Sequence, residues 1–227
     1  MPNAQYTVNA VTSDFLLPVP ARRGLYPDLL KRGFDIVLSV SALGFFLPVM
    51  ALIYFLVRLD GGPGLFAHRR VGRGGREFRC LKFRSMVVDA EPALSSYLDA
   101  HPSARVEWEK TRKLKNDPRI TRLGKLLRKT SADELPQLFN VIMGDMSIVG
   151  PRPVTLSELE KYGRNSAAYL SVRPGITGLW QVSGRNDASY ESRVALDSEY
   201  CGTVSLGLDV ALLIKTFFVV LKREGAY

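Results

Sequence analysis

The strongest pattern in the chain is an apolar run from Ile36 to Val57, IVLSVSALGFFLPVMALIYFLV, with no charged residue across 22 positions. As a helix it would measure about 33 Å at about 1.5 Å per residue, enough for a bilayer hydrocarbon core of about 30 Å. Pro48 lies in its interior, where a proline removes one helical hydrogen bond and kinks the axis. Basic residues flank both ends: Arg22, Arg23, Lys31 and Arg32 before it, Arg58, Arg69, Arg70, Arg73 and Arg76 after it. A spanning helix biases Lys and Arg to one side. A helix-break-helix hairpin that enters and leaves by one leaflet would put both flanks at the headgroups. The pattern leaves a kinked span and a re-entrant hairpin as open readings.

Around this run the periodicities are shorter. Residues 1–30 hold Pro18, Pro20 and Pro27 and predict an irregular tail. After the turn cluster at Asp60-Gly-Gly-Pro-Gly, Phe66 to Met86 predicts a β-hairpin about Gly72-Arg73-Gly74-Gly75, with Glu77 to Arg84 as the return strand. Helix is expected over Asp89–Lys115 with a break near His101-Pro102, over Ile120–Lys129, again from near Ser131, and over Leu156–Tyr169. Arg173 to Asn186 reads as a Gly-rich loop. Val204–Lys222 is apolar but interrupted by Gly207, Asp209 and Lys215, which favours an interfacial or core-packing helix over a second span.

Charge changes this picture by being local. The chain carries 31 basic and 22 acidic residues, net +9, at a mean hydropathy of +0.01. His68–Arg84 alone carries +6 and Thr111–Thr130 carries +7, so the remainder is net acidic. Two basic segments in an otherwise mildly acidic chain favour an anionic partner: nucleic acid, a phosphorylated small molecule or a membrane surface. Cys80 and Cys201 are too few for a disulfide framework, and two histidines provide no zinc-spaced cluster.

Several catalytic signatures are missing: the phosphate-binding G-x-x-x-x-G-K-[ST], a complete G-x-G-x-x-G, a G-x-S-x-G elbow and a D-x-D. The informative stretch is Arg128-Lys-Thr-Ser-Ala-Asp133-Glu134-Leu-Pro136-Gln137. One reading is helix capping, either as a Ser131/Glu134 box or with Asp133 as the cap, which places Pro136 where its missing N–H costs nothing. The other is chemical: an Asp near Arg128 and Lys129 should stay ionised, helix-terminal N–H groups bind phosphate oxygens, and an ionised Asp is a nucleophile toward phosphoryl groups. Arg152, fixed between Pro151 and Pro153, is a rigid perch for an oxyanion or else part of a surface loop.

Five segments occur in order behind the apolar run: Lys82-Phe-Arg-Ser-Met86, Asp117-Pro-Arg-Ile-Thr121, Asp133-Glu-Leu-Pro-Gln137, Gly144 to Pro153, and Arg173-Pro-Gly-Ile-Thr-Gly-Leu-Trp-Gln-Val-Ser-Gly-Arg-Asn186. Together they resemble the bacterial sugar transferase family, the monotopic polyprenyl-phosphate phosphoglycosyltransferases, over about residues 31 to 227. The spacing is most similar to members that start exopolysaccharide repeat units with galactose phosphate.

The resemblance implies an α+β, mainly helical fold. Residues 31–58 would form a re-entrant membrane helix broken at Pro48, and residues 59–227 a small cytoplasmic catalytic domain with a β-hairpin and interfacial helices. It implies transfer of a sugar 1-phosphate, galactose favoured, from a UDP-sugar to undecaprenyl phosphate through an aspartyl intermediate, at the cytoplasmic face of a bacterial inner membrane. In the family's pattern Asp133 is the nucleophile and Glu134 its partner, both near Mg²⁺. Arg128 and Arg152 bind phosphate, Arg185 serves nucleotide recognition, and Lys82 and Arg84 are further substrate ligands. Membrane lipid is an expected partner, a homodimer is left open, and nucleic acid is not expected. The rival reading is a non-enzymatic anchored protein whose basic surface binds nucleic acid or anionic lipid. Against it, aromatic residues are not interleaved through the basic segments as a stacking platform requires.

Overall fold

The computed structural model describes residues 24–111, 113–183 and 189–222. Its backbone is mainly helical, with two small two-stranded sheets. Helix α1, Lys31–Arg58, carries the apolar run and is continuous through Pro48, so the break expected there does not occur; the proline only leaves the Gly44 carbonyl, four residues earlier, without its donor. A π-helical turn, Tyr26–Leu30, leads into it. The irregular tail expected to reach residue 30 is therefore helical from Tyr26: Pro27 falls in the first turn, where no intrahelical donor is lost.

One stripe of α1 packs on the rest of the chain along its whole length. Asp35, Ser39, Met50, Ile53 and Val57 are buried, and Leu43 and Phe46 fill between them, a spacing of three or four that keeps one helical face inward. At the start, Lys31 donates to Asp209 at 2.6 Å, and the Asp35 carboxylate accepts from Ser147 Oγ at 3.0 Å and the Ile148 N–H at 3.1 Å. At the end, Arg84 donates to the carbonyls of Val57 and Pro63, both at 2.8 Å, and pairs with Asp60. A cation on the last carbonyls of a helix satisfies acceptors and opposes the helix dipole. The opposite face, with Val37, Val40, Phe45, Leu47, Leu52 and Phe55, is exposed.

Strands β1 (Leu65–Val71) and β2 (Glu77–Phe83) form the expected hairpin, antiparallel with Leu65 opposite Phe83 and Val71 opposite Glu77. Gly74 and Gly75, at φ 69° and 80°, supply its left-handed turn residues. Helices α2 (Ala90–Ala100) and α3 (Pro102–Thr111) break at His101 as the sequence predicts. Helix α4, Arg122–Thr130, is capped by the Thr121 side chain accepting from the Gly124 N–H.

The next helix begins later than expected. Ser131 adopts φ 56°, ψ 15°, Ala132–Glu134 is a single 3₁₀ turn, and α5 runs Gln137–Met143 with Pro136 at its N-cap. Neither Ser131 nor Asp133 caps a helix by its side chain. The left-handed Ser131 reverses the chain and leaves room for only one tight turn before Pro136 restarts it.

Strand β3, Ser147–Val149, pairs in parallel with β4, Gly175–Thr177. Between them, the helix expected over 156–169 is split into α6, Leu156–Glu160, and α7, Ser166–Ser171. A 3₁₀ turn led by Gly163 at φ 50° separates the two. The segment read as a loop from Arg173 holds β4 and the short α8, Leu179–Val182. Helices α9, Tyr190–Thr203, and α10, Leu206–Lys222, close the chain. Helix α10 buries Asp209 and Leu212 and exposes Ile214, Phe217, Phe218 and Leu221. It thus packs on the core by one face and is apolar on the other.

Candidate active site

The hairpin, the 3₁₀ turn and the loop after β3 deliver side chains to one place. Phe78 and Cys80 of β2 point into the core, and Lys82 continues that row at the strand's end. Buried Asn140 of α5 clamps the strand: its Nδ2 donates to the Arg79 carbonyl at 2.8 Å, and its Oδ1 accepts from the Leu81 N–H at 2.9 Å. Lys82 Nζ then donates to Glu134 Oε1 at 2.6 Å and lies 4.0 Å from Asp133 Oδ2. Arg152 places Nη1 3.9 Å from the same Glu134 oxygen.

Helix α4 brings the next cation. Gly124 lets the helix pack on the backbone that follows β2: a Cβ there would lie 2.0 Å from the Ser85 carbonyl oxygen. At that distance Arg128 Nε donates to Ser85 Oγ at 2.9 Å. Two adjacent acids are thus ringed by Lys82, Arg128 and Arg152.

The Asp133 side chain is 12% exposed. Burial pushes its carboxyl above the usual range, and Glu134 pushes the same way, while Lys82, Arg128 and its own backbone N–H pull it down. The nearby cations pull this carboxyl down, as the sequence leads one to expect, but burial outweighs them and the net direction is upward. Burial likewise lowers Arg128, with Asp133 and Asp117 opposing. Such opposed influences on one buried acid are typical of groups that do chemistry.

Of the residues named from sequence, Asp133, Glu134, Lys82, Arg128 and Arg152 come together. Arg84 does not: its guanidinium is buried against the end of α1. Arg185 lies outside the described residues. Asp117, first of its motif, holds Arg119 through Nε at 2.9 Å and Nη2 at 2.6 Å. Arg119 in turn stacks 4.9 Å from the Trp108 ring, so that motif braces the entry to α4. Sequence reasoning passed over Asn140 and Ser85, whose partners are backbone groups or side chains far along the chain. Ser85 lay inside the Lys82–Met86 segment, which was the one available signal.

Among the described residues no group of three or more His, Cys, Asp or Glu side chains converges. Asp133 and Glu134 are two hard oxygen donors, the number Mg²⁺ commonly takes when phosphate and water complete its shell. The donor set therefore fits that ion in company with a phosphorylated ligand.

The site thus combines two carboxylates in a ring of cations with a helix long and apolar enough, by length and composition, to cross a membrane. The chain belongs to the bacterial sugar transferase family, whose sequence profile matches residues 26–223. It is 56% identical over 198 residues to a UDP-galactose-lipid carrier transferase of Erwinia amylovora, covering 87% of this chain and 42% of that protein. It is 55% identical over 198 residues to the undecaprenyl-phosphate galactose phosphotransferase of Salmonella typhimurium, with the same 87% and 42% coverage. It is 49% identical over 198 residues to the exopolysaccharide production protein ExoY of Rhizobium meliloti, covering 87% of this chain and 88% of that one. The chain thus spans less than half the length of the first two relatives and most of the third.

Proposed function

We propose that the chain transfers a hexose 1-phosphate, galactose first, from a UDP-sugar to undecaprenyl phosphate, the first membrane step in building an exopolysaccharide repeat unit. The observation that carries this reading is the convergence of buried Asp133 and Glu134 with Lys82, Arg128 and Arg152. The names of the relatives supply the substrates. An Asp133 oxygen attacks the β-phosphorus of the UDP-sugar, the bond from that phosphorus to the bridging oxygen breaks, and UMP leaves with that oxygen. A phosphate oxygen of the lipid then attacks the same phosphorus, the carboxylate leaves, and a lipid-diphospho-sugar forms. Lys82 holds Glu134 and draws Asp133 toward its ionised form, while Arg128 and Arg152 offset charge on the phosphates. When bound, Mg²⁺ would be held by Asp133 and Glu134 and would supply charge neutralisation on the diphosphate.

The membrane part of the proposal places the outer face of α1 and the exposed apolar face of α10 in lipid, with the site on the cytoplasmic side of the inner membrane. Both ends of α1 are tied to one globular body, at Asp209 and at Arg84. That supports flanks on a single membrane face, as in a re-entrant helix.

The test is UMP release from UDP-galactose, UDP-glucose and their N-acetylated analogues, with and without undecaprenyl phosphate. Lipid-dependent release is expected, and Asp133→Asn should abolish it in a protein that still folds and binds membranes. Substantial residual turnover in that variant removes Asp133 as nucleophile.

A further inference from the structure

Arg152 reaches the acids from a loop that has no regular secondary structure, so something else must fix it. Its backbone N–H is directed toward the Asp197 carboxylate. Its guanidinium lies 6.0 Å from the centre of the Trp180 ring. The same ring lies 4.9 Å from the guanidinium of Arg193 on α9, which also faces Tyr190 at 5.4 Å. Arg193 is 7% exposed and is flanked by Glu158 Oε1 and Asp197 Oδ2, each 3.8 Å away. Asp197 also accepts from the Tyr162 hydroxyl at 2.6 Å.

As a plain structural core this cluster is poorly made. Trp180 Nε1, Arg193 Nε and Nη2, and Asp197 Oδ1 are buried with no hydrogen-bond partner among the described residues. Buried polar atoms left unpaired are costly, and apolar side chains of similar volume would avoid the cost. Set against that cost, the cluster fixes an indole ring within cation–π reach of two guanidiniums, Arg193 at 4.9 Å and Arg152 at 6.0 Å. Of the two, Arg152 is 37% exposed, so donors not aimed at Glu134 remain open to a ligand.

We propose that Trp180, backed by Arg193 and Asp197, is a positioning residue that holds the Arg152 guanidinium in place to receive the diphosphate of the donor. The inference rests on the proposed transferase reading for the identity of that ligand. Neither Trp180 nor Arg193 touches the reacting atoms.

The experiment is equilibrium binding of UDP with Mg²⁺ to the full chain in detergent, by calorimetry, for the wild type, Trp180→Leu, Trp180→Phe, Arg152→Lys and the double variant Arg152→Lys/Trp180→Leu. Trp180→Leu should weaken UDP binding by about tenfold, the scale of a partly desolvated cation–π contact. Trp180→Phe, which keeps an aromatic face, should restore most of it. In the Arg152→Lys background, Trp180→Leu should change binding by less than about twofold, since coupled residues are not additive. An equal loss in both backgrounds means Trp180 acts on general structure and overturns the proposal. So does a wild type that fails to bind UDP. If Trp180→Leu shows no cooperative melting, Arg193→Lys replaces it in the same cycle, with the same expected loss. UDP binding without UMP release would sink the transferase reading while the cycle still decides this one.

Discussion

Replacing Lys82 by Met keeps the length of the side chain and removes its charge from between the two acids. Lys82 Nζ lies 4.0 Å from Asp133 Oδ2, with side-chain exposures of 27% and 12%. At an effective dielectric constant of about 20, Coulomb's law gives about 4 kcal/mol for that separation. Solvent at the lysine end reduces this to about 2 kcal/mol. Asp133 is already held above the usual carboxylate range by burial and Glu134, and Lys82 is the first of the groups opposing them. Its loss therefore raises the Asp133 pKa further, and the carboxylate proposed as nucleophile is lost at a higher pH. The acidic limb of kcat/KM for UMP release should move up by about 1.5 pH units in Lys82→Met and return close to the wild-type position in Lys82→Arg. Were the limb to stay put while activity fell equally at every pH, Lys82 would be a phosphate ligand only, and the electrostatic coupling to Asp133 would be refuted.

Three other perturbations read different parts of the structure. Gly124→Ala gains helix propensity but drives a Cβ to 2.0 Å from the Ser85 carbonyl oxygen; a net loss of about 2 kcal/mol is expected, seen as a lower Tm, with slower UMP release as Arg128 leaves Ser85. Asp197, pushed up to about 6 by burial, favours the fold in its protonated form: that contribution is full below about pH 4 and is lost as pH rises through about 6. Asp197→Asn fixes the neutral form, so its Tm relative to the wild type should climb between pH 4 and 7, by the equivalent of up to about 3 kcal/mol; a pH-independent offset would show that Asp197 does not titrate there. For topology, Leu25→Cys and Leu59→Cys place thiols at positions 69% and 70% exposed, while the native Cys80 and Cys201 are buried. Both introduced thiols should react with an impermeant reagent from the same membrane face, and labelling from opposite faces would establish a true span.

What could be read from sequence follows the range of the interactions involved. The apolar run, the hairpin with its glycine turn and the break at His101-Pro102 depend on residues a few positions apart, and each is where periodicity and turn chemistry put it. The start of α5 was misread because Ser131 adopts a left-handed conformation that its side chain does not favour. Packing of α4 on the backbone at Ser85 holds the chain there. The strand inside the Gly-rich segment has the same origin, whereas the split between α6 and α7 comes from the local turn at Gly163, φ 50°. Strand β4 exists because it pairs with β3, 28 residues earlier at Ser147 opposite Gly175, a partner no local window contains. The acids and cations of the site were legible as residue types, but the Trp180–Arg193 platform was not, since its members come from segments read as a loop or not assigned.

The basic segments show why a charge run does not count ligands. Of the described cations behind the +13 that first pointed to an anionic partner, three are already engaged inside the fold. Arg84 binds the Val57 carbonyl at the end of α1 and the Pro63 carbonyl beyond it, Arg70 holds Glu158 at 2.8 Å and Arg119 is chelated by Asp117. Lys82 and Arg128 remain at the acids, joined there by Arg152 from outside both runs. The structural arginines still matter to the chemistry, because Arg84 fixes the end of the apolar helix to the strand that carries Lys82 two residues earlier. Through that short connection, if α1 is embedded as proposed, its depth in lipid would also set the height of Asp133 above it. On the proposed reading, a lipid phosphate at the bilayer surface would reach the carboxylate without a carrier, given a helix seated at the right depth.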